Sequence, residues 1–134
     1  YFRFSKDALA YLFKDFNIDD YVFEPYGYSL NAIRGDSYYT IHLSPEENGS
    51  YVSLETNDSS LDGQEIITHF SERLKPKSFD VISFNWDGNY KSEIYQLVDS
   101  CKQSLDNGLM VKFCQYLDTK NNKSSGGYLL FEHK

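Results

Sequence analysis

Apolar residues recur first at helical and then at strand spacing along this chain. Ala8, Leu9, Leu12, Phe13 and Phe16 share one helical face behind Ser5 as N-cap, which predicts a helix over residues 5–16. After Asn17 the period shortens. Tyr21–Phe23, Tyr26–Ile33, Ser37–Ser44 and Tyr51–Thr56 are short runs of β-branched and aromatic residues. Turn signals separate them: Glu24-Pro25, Arg34-Gly35-Asp36, Pro45 and Asn48-Gly49-Ser50. A second helix is predicted from Asp62 to Leu74. Glu65 stands three residues after its cap, Ile66, Ile67, Phe70 and Leu74 face inward, and Lys75-Pro76 stops it. Phe79–Trp86 reads as a strand. Ile94, Leu97, Val98, Cys101 and Leu105 have helical spacing, so a third helix is expected over Tyr90–Leu105, ended by Asn107-Gly108. Leu109–Leu117 and Tyr128–Phe131 are further strands, joined by a polar loop from Asp118 to Gly127.

The expected fold is α+β, a single domain over residues 1–134: an antiparallel β-sheet of about six or seven strands with helices packed on one face. There is no internal repeat. Alternation then divides the strands into two faces. Tyr28, Leu30, Tyr39, Ile41, Leu43, Val52 and Leu54 form the set that can receive helices. Ser29, Asn31, Tyr38, Thr40, His42, Ser53 and Glu55 form the other, a polar surface if the three strands are neighbours. Ordinary solvation of an outer sheet face accounts for the same pattern.

Composition narrows the function. The chain has 134 residues, 40% hydrophobic and 25% charged, which suits one globular domain rather than a disordered one. Its 17% aromatic content fits a pleated, β-rich core. Thirteen Lys and Arg against 20 Asp and Glu give a net charge of −7, the wrong sign for binding nucleic acid through its phosphates. No apolar run approaches the length of a bilayer span and no signal-peptide pattern opens the chain, so a cytoplasmic protein without a membrane partner is expected. Cys101 and Cys114 form no CxxC pair and read as reduced thiols.

His42, His69 and His133 have no helical i, i+4 partner among themselves, and no metal site is expected. His69 and His133 read as surface residues. Ser29 and His42 could meet across adjacent strands as a hydroxyl and a base suited to proton transfer. Glu46, at a strand end after Pro45, could accept two hydrogen bonds from a diol, or be a solvated turn residue. Phe23 before Glu24-Pro25 offers a ring to stack on a base, or a core anchor. Glu55 lies on an aromatic-rich strand, where a covered carboxylate would need a cationic partner.

Three stretches carry a resemblance: Phe23-Glu-Pro-Tyr-Gly-Tyr-Ser-Leu-Asn31, Tyr39-Thr-Ile-His-Leu-Ser-Pro-Glu46 and Ser50-Tyr-Val-Ser-Leu-Glu-Thr-Asn57. They resemble the eukaryotic S-adenosylmethionine decarboxylase family, whose motifs look like F-x-P-C-G-Y-S-M-N, T-I-H-V-T-P-E and S-Y-x-S-F-E. The dense match covers Phe23–Asn57 and continues more loosely through Lys75-Pro76 and Phe79–Phe84 to Tyr128. The resemblance implies one half, the C-terminal one, of an αββα sandwich. It also implies a lyase of spermidine and spermine biosynthesis that cleaves itself at an internal serine. That serine becomes a pyruvoyl group, the electron sink for loss of CO2.

Carried over by position, Phe23 matches the aromatic that stacks on the adenine of S-adenosylmethionine, and Glu46 the acid that holds its ribose. Ser29 and His42 match the self-processing hydroxyl and imidazole. Glu55, Phe84 and Tyr128 match positions around the pocket where putrescine acts in some members. Two departures stand out. Tyr26 replaces the family's Cys in the strand expected to carry Ser29. The pyruvoyl-forming serine, in its Glu-Ser-Ser setting, is not in this chain, since Ser59-Ser60 follow Asp58 in the wrong place. The resemblance thus points to the C-terminal portion of a decarboxylase, completed by an N-terminal half and inactive by itself. An alternative is a catalytically inactive relative that binds ligand or regulates a homologous decarboxylase chain. Pairing of the half with its own copy is a third, lesser reading.

Overall fold

The computed structural model describes residues 12–47, 49–120 and, for the backbone, 126–132. Eight strands and one helix are described: β1 (Asn17–Val22), β2 (Tyr28–Arg34), β3 (Ser37–Glu46), β4 (Gly49–Thr56), α1 (Gly63–Leu74), β5 (Ser78–Phe84), β6 (Tyr95–Ser104), β7 (Met110–Asp118) and β8 (Gly126–Glu132). They form one sheet in the order β1-β2-β3-β4-β8-β5-β7-β6. The architecture is the expected α+β one, a mostly antiparallel sheet with a helix on one face. Most of the predicted first helix lies outside the described residues; Leu12–Asp15 form a turn that buries Leu12 and Phe13.

β1 to β4 are joined by tight links. Arg34 pairs with Ser37 across Gly35-Asp36, and Gly35 takes φ +59°, a conformation glycine adopts without strain. Every second residue then faces the core. Leu30, Ala32, Tyr39, Ile41, Leu43, Val52 and Leu54 are buried, as are Phe79 and Val81 on β5 and Cys114 and Tyr116 on β7. α1 covers this face through Ile66, Ile67 and Phe70, each worth roughly 1.5–3 kcal/mol of apolar burial.

The helix begins at Asp62 as predicted, but the carboxylate does not cap it. Asp62 Oδ1 accepts instead from Trp86 Nε1 at 3.2 Å. Trp86 lies against Gly63 and Gly88, so closely that a Cβ at either position would stand 2.6 or 2.3 Å from its ring. At the other end Lys75 adopts φ 47° and donates its N–H to Ser71 O at 3.0 Å, and Pro76 follows.

Two expectations are corrected. Tyr90–Leu105 is not a helix: residues 85–94 are irregular and Tyr95–Ser104 form the edge strand β6, paired with β7. The helical spacing misleads because Ile94, Leu97, Val98, Cys101 and Leu105 are all exposed, whereas Tyr90 and Tyr95 are buried. A register shift between Leu97 and Asp99 also breaks the period of two that would have marked the strand. Asn107-Gly108 is accordingly the tip of the β6–β7 hairpin, closed by Leu105 N–H to Leu109 O at 2.7 Å. Second, β8 runs parallel to both neighbours, β4 and β5, so the sheet is mixed at its centre. β8 runs antiparallel to β7, the strand before it in sequence; it is parallel to β4 and β5 because it is inserted between two strands to which no short link joins it.

An aromatic cluster fastens this second half. Phe79 stacks on Tyr116 at 5.0 Å between centroids and meets Tyr95 edge-on at 4.9 Å. Tyr90 OH shares a 2.9 Å hydrogen bond with Ser71 Oγ, and Tyr95 OH donates to Pro76 O at 2.8 Å. Burial, with the nearby Asp118 carboxylate, pushes the Tyr95 phenol well above its ordinary value, so it remains a donor. No helix among the described residues is long and apolar enough to cross a membrane.

Candidate functional site

The sheet face opposite α1 collects the polar set. Register partners in neighbouring strands share a face, so the pairings fix which side chains meet there. Tyr21, Ser29, His42 and Ser53 form a row across β1 to β4, and the row continues through the register positions of Tyr128, Asp80 and Gln115. The adjacent row runs Asn31, Thr40, Glu55, Leu130, Ile82 and Phe113.

Within the first row Ser29 Oγ and His42 Nδ1 are 3.1 Å apart, a hydrogen bond between adjacent strands. Two states satisfy this geometry. A serine O–H donating to Nδ1 leaves the proton on Nε2, an acid toward a neighbouring group. With Nδ1–H donating to the serine oxygen, Nε2 keeps its lone pair and is a base. Next to them Thr40 Oγ1 donates to Asn31 Oδ1 at 2.9 Å, which ties the same two strands.

The other expected residues fall around this pair. Glu46 ends β3, exposed, four residues beyond His42 on the same alternation and so ~13 Å along the strand. Phe23 lies half exposed just after β1, at the same end of the sheet as Glu46. Its N–H donates to Gly27 O at 3.0 Å, closing the loop that leads into β2. Tyr26 is exposed in that loop and not within the strand that carries Ser29, which corrects the expected placement. Glu55 and Phe84 are half-buried and share the face, on β4 and β5, with β8 between them. Tyr128 holds the β8 register position between Ser53 and Asp80; its side chain lies outside the described residues. His69 is half-buried on α1, and His133 lies outside the described residues.

Charge is distributed unevenly between the faces. Arg34, Lys102 and Lys112, the Arg and Lys residues of the described strands, all fall on the α1 side by register. Glu55, Asp80 and Asp99 fall on the other side. The open face therefore suits a cationic molecule or layer. Among the described residues no three His, Cys, Asp or Glu side chains are grouped to hold a metal ion.

Sequence reasoning missed Asp58, a supporting residue behind this face. Its carboxylate is buried and accepts from Tyr39 OH at 2.7 Å, Ser60 Oγ at 2.7 Å and Ser60 N at 3.0 Å, with Arg34 at 3.8 Å. Burial would raise its pKa, but the hydrogen bonds from Ser60 and Tyr39 and the Arg34 charge together hold it below the usual carboxylate range. Tyr39 lies between Tyr38 and Thr40 on β3, so this network anchors the strand that carries His42. The Asp-Ser-Ser sequence after a strand was the available signal, since Asp and Ser pair locally in turns.

A family model described as adenosylmethionine decarboxylase matches residues 4–133. An S-adenosylmethionine decarboxylase proenzyme of Trypanosoma brucei brucei is 45% identical over 67 residues, 50% of this chain and 18% of that protein. Proenzyme 1 of Arabidopsis thaliana is 40% identical over 82 residues, 58% of this chain and 22% of that protein. The crystal structure of the Trypanosoma brucei AdoMetDC-delta26 monomer aligns with a TM-score of 0.68 at 27% identity, covering 84% of this chain and 51% of that one. The matched stretches thus span about a fifth of those curated relatives, and the chain covers about half of the trypanosomal structure.

Proposed function

Because this chain belongs to the adenosylmethionine decarboxylase family, we propose that it is the C-terminal portion of an S-adenosylmethionine decarboxylase serving polyamine synthesis. In this reading it supplies the substrate-binding and self-processing residues of a site completed by an N-terminal half. The single observation that carries the reading is the 3.1 Å contact between Ser29 and His42 on the open sheet face. It joins a hydroxyl to an imidazole in the two family positions where proton transfer during self-processing is expected.

Each side chain has a limited task. Ser29 holds His42 through Nδ1, so that Nε2 can take or return a proton at the cleaving bond. Phe23 offers its ring to the adenine base, and Glu46, at the same end of the sheet, accepts from the ribose hydroxyls. Glu55, Phe84 and Tyr128 surround a region suited to a small amine such as putrescine. The absence of Lys and Arg side chains of the described strands from this face favours a substrate that carries a sulfonium charge. A pyruvoyl group, where bound, would supply the electrophilic carbonyl that draws electrons from the breaking carboxyl bond. The open face fits such a group, having a proton-transfer pair beside an acidic surface; its precursor serine would come from the other half.

The test uses the full-length polypeptide expressed from the gene that encodes this segment. The expected result is release of CO2 from carboxyl-labelled S-adenosylmethionine together with cleavage into two chains. His42→Ala should slow that cleavage about 100-fold or more, the scale of a lost general acid–base group. A full-length protein that neither cleaves nor decarboxylates would overturn the reading.

A further inference from the structure

Phe23 has an aromatic neighbour that its proposed task leaves unexplained. Its ring meets that of Tyr21 edge to face, with centroids 4.7 Å apart and planes at 65°. Tyr21 is 63% exposed and Phe23 48%, so the contact does not belong to the buried core. The backbone of Phe23 is held by its bond to Gly27, whose bare α-carbon lets the chain pass where a Cβ would stand 3.4 Å from Phe23 Cβ. Neither feature fixes the rotation of the Phe23 ring. Tyr21 is the ring packed against it, and the register partner of Tyr21 is Ser29, which puts Tyr21 in the same row as the Ser29–His42 pair.

We infer that Tyr21 is a positioning residue that sets the plane in which Phe23 presents its ring to the substrate base. The inference rests on the base-stacking reading of Phe23. An exposed phenylalanine samples several rotamers, and ordering it on binding costs affinity. An edge-to-face partner chosen from the strand itself imposes that order beforehand. In this assignment Tyr21 acts through Phe23 and takes no part in proton transfer, so its removal should weaken binding of ground state and transition state alike.

The test is steady-state kinetics of the complete, self-processed enzyme with Tyr21→Ala, Tyr21→Phe, Phe23→Ala and the Tyr21→Ala/Phe23→Ala double variant. Tyr21→Ala is expected to raise KM for S-adenosylmethionine roughly two- to tenfold, the range of one aromatic pair, with kcat within about twofold. Tyr21→Phe should behave as the parent, and Tyr21→Ala should add nothing once Phe23 is alanine. If Phe23→Ala raises KM while Tyr21→Ala does not, the inference fails and the stacking reading stands. If Phe23→Ala leaves KM unchanged, the stacking reading fails and the inference with it. Equal losses from Tyr21→Phe and Tyr21→Ala, or full additivity in the double variant, would also overturn it. Should the alanine variant unfold, Tyr21→Leu keeps the bulk without the ring and gives the same comparison.

Discussion

Replacing Asp58 by Asn should cost about 2–4 kcal/mol of stability at neutral pH and progressively less in acid. Three donors, Tyr39 OH, Ser60 Oγ and Ser60 N, converge on this carboxylate, whose side chain is 2% exposed. Hydrogen bonds to a buried charge contribute about 1.5–3 kcal/mol each. Asparagine keeps one acceptor oxygen but turns the other into an amide that faces a donor, so at least one such bond is lost and one donor is left opposed. Arg34, half exposed at 3.8 Å, adds no more than about 1 kcal/mol. The sign of the pH dependence follows from the lowered carboxyl pKa. A folded value below the unfolded ~3.9 gives stability that is complete above the unfolded pKa and disappears as pH falls through the folded one. Asparagine has no such dependence, so the gap between parent and variant should narrow below about pH 4. Urea unfolding followed by the fluorescence of Trp86, the one tryptophan, measures both curves at pH 7, 5, 4 and 3. A gap under about 0.5 kcal/mol at pH 7, or one that stays constant into acid, would refute the assignment.

Phe23→Ala in the complete enzyme should weaken nucleoside binding by about 1–3 kcal/mol, the usual worth of base–aromatic stacking; unchanged calorimetric affinity would return the ring to an anchoring role. Gly63→Ala should lower the melting temperature although alanine is the better helix former, because its Cβ would stand 2.6 Å from Trp86 Cε2. A melting temperature equal to or above the parent's would show that Trp86 can move aside.

The strands that carry the candidate site were legible because turn chemistry fixes their register. Once Arg34 and Ser37 flank the Gly35-Asp36 turn, counting back along both strands brings Ser29 opposite His42. The next link does the same for His42 and Ser53. Alternation then separates the two faces without further information. β6 was not legible, because an exposed edge strand has no buried face to impose a period of two, and its apolar residues took on a helical spacing by accident. The insertion of β8 between β4 and β5 joins segments far apart in sequence, and no local pattern records such a choice. The use of Asp62 by Trp86, and of Asp58 by Tyr39, likewise depends on partners 24 and 19 residues away. Local rules identify a cap or a turn correctly and still miss which donor reaches it first.

The same alternation makes the candidate site a property of the core behind it. On β3, Tyr39, Ile41 and Leu43 are buried while Thr40 and His42 between them face the open side. A slip of one residue would carry His42 under α1 and bring Ile41 and Leu43 into water, losing several large apolar burials at once. Tyr39 opposes that slip twice over, through its burial against Phe13 and Phe16 at 5.4 Å and through its bond to Asp58. The imidazole thus needs no rigid loop to hold its place. Its position is set by how well the residues on either side of it avoid water, and only the serine contact, at a distance where a small displacement matters, tunes its chemistry. A variant that loosens the core beneath β3, such as Ile41→Ala, is therefore expected to weaken self-processing by the full-length protein without touching Ser29 or His42. Cleavage at the parental rate in an Ile41→Ala protein that has lost about 2–5 kcal/mol of stability would separate the site from the core and refute the coupling.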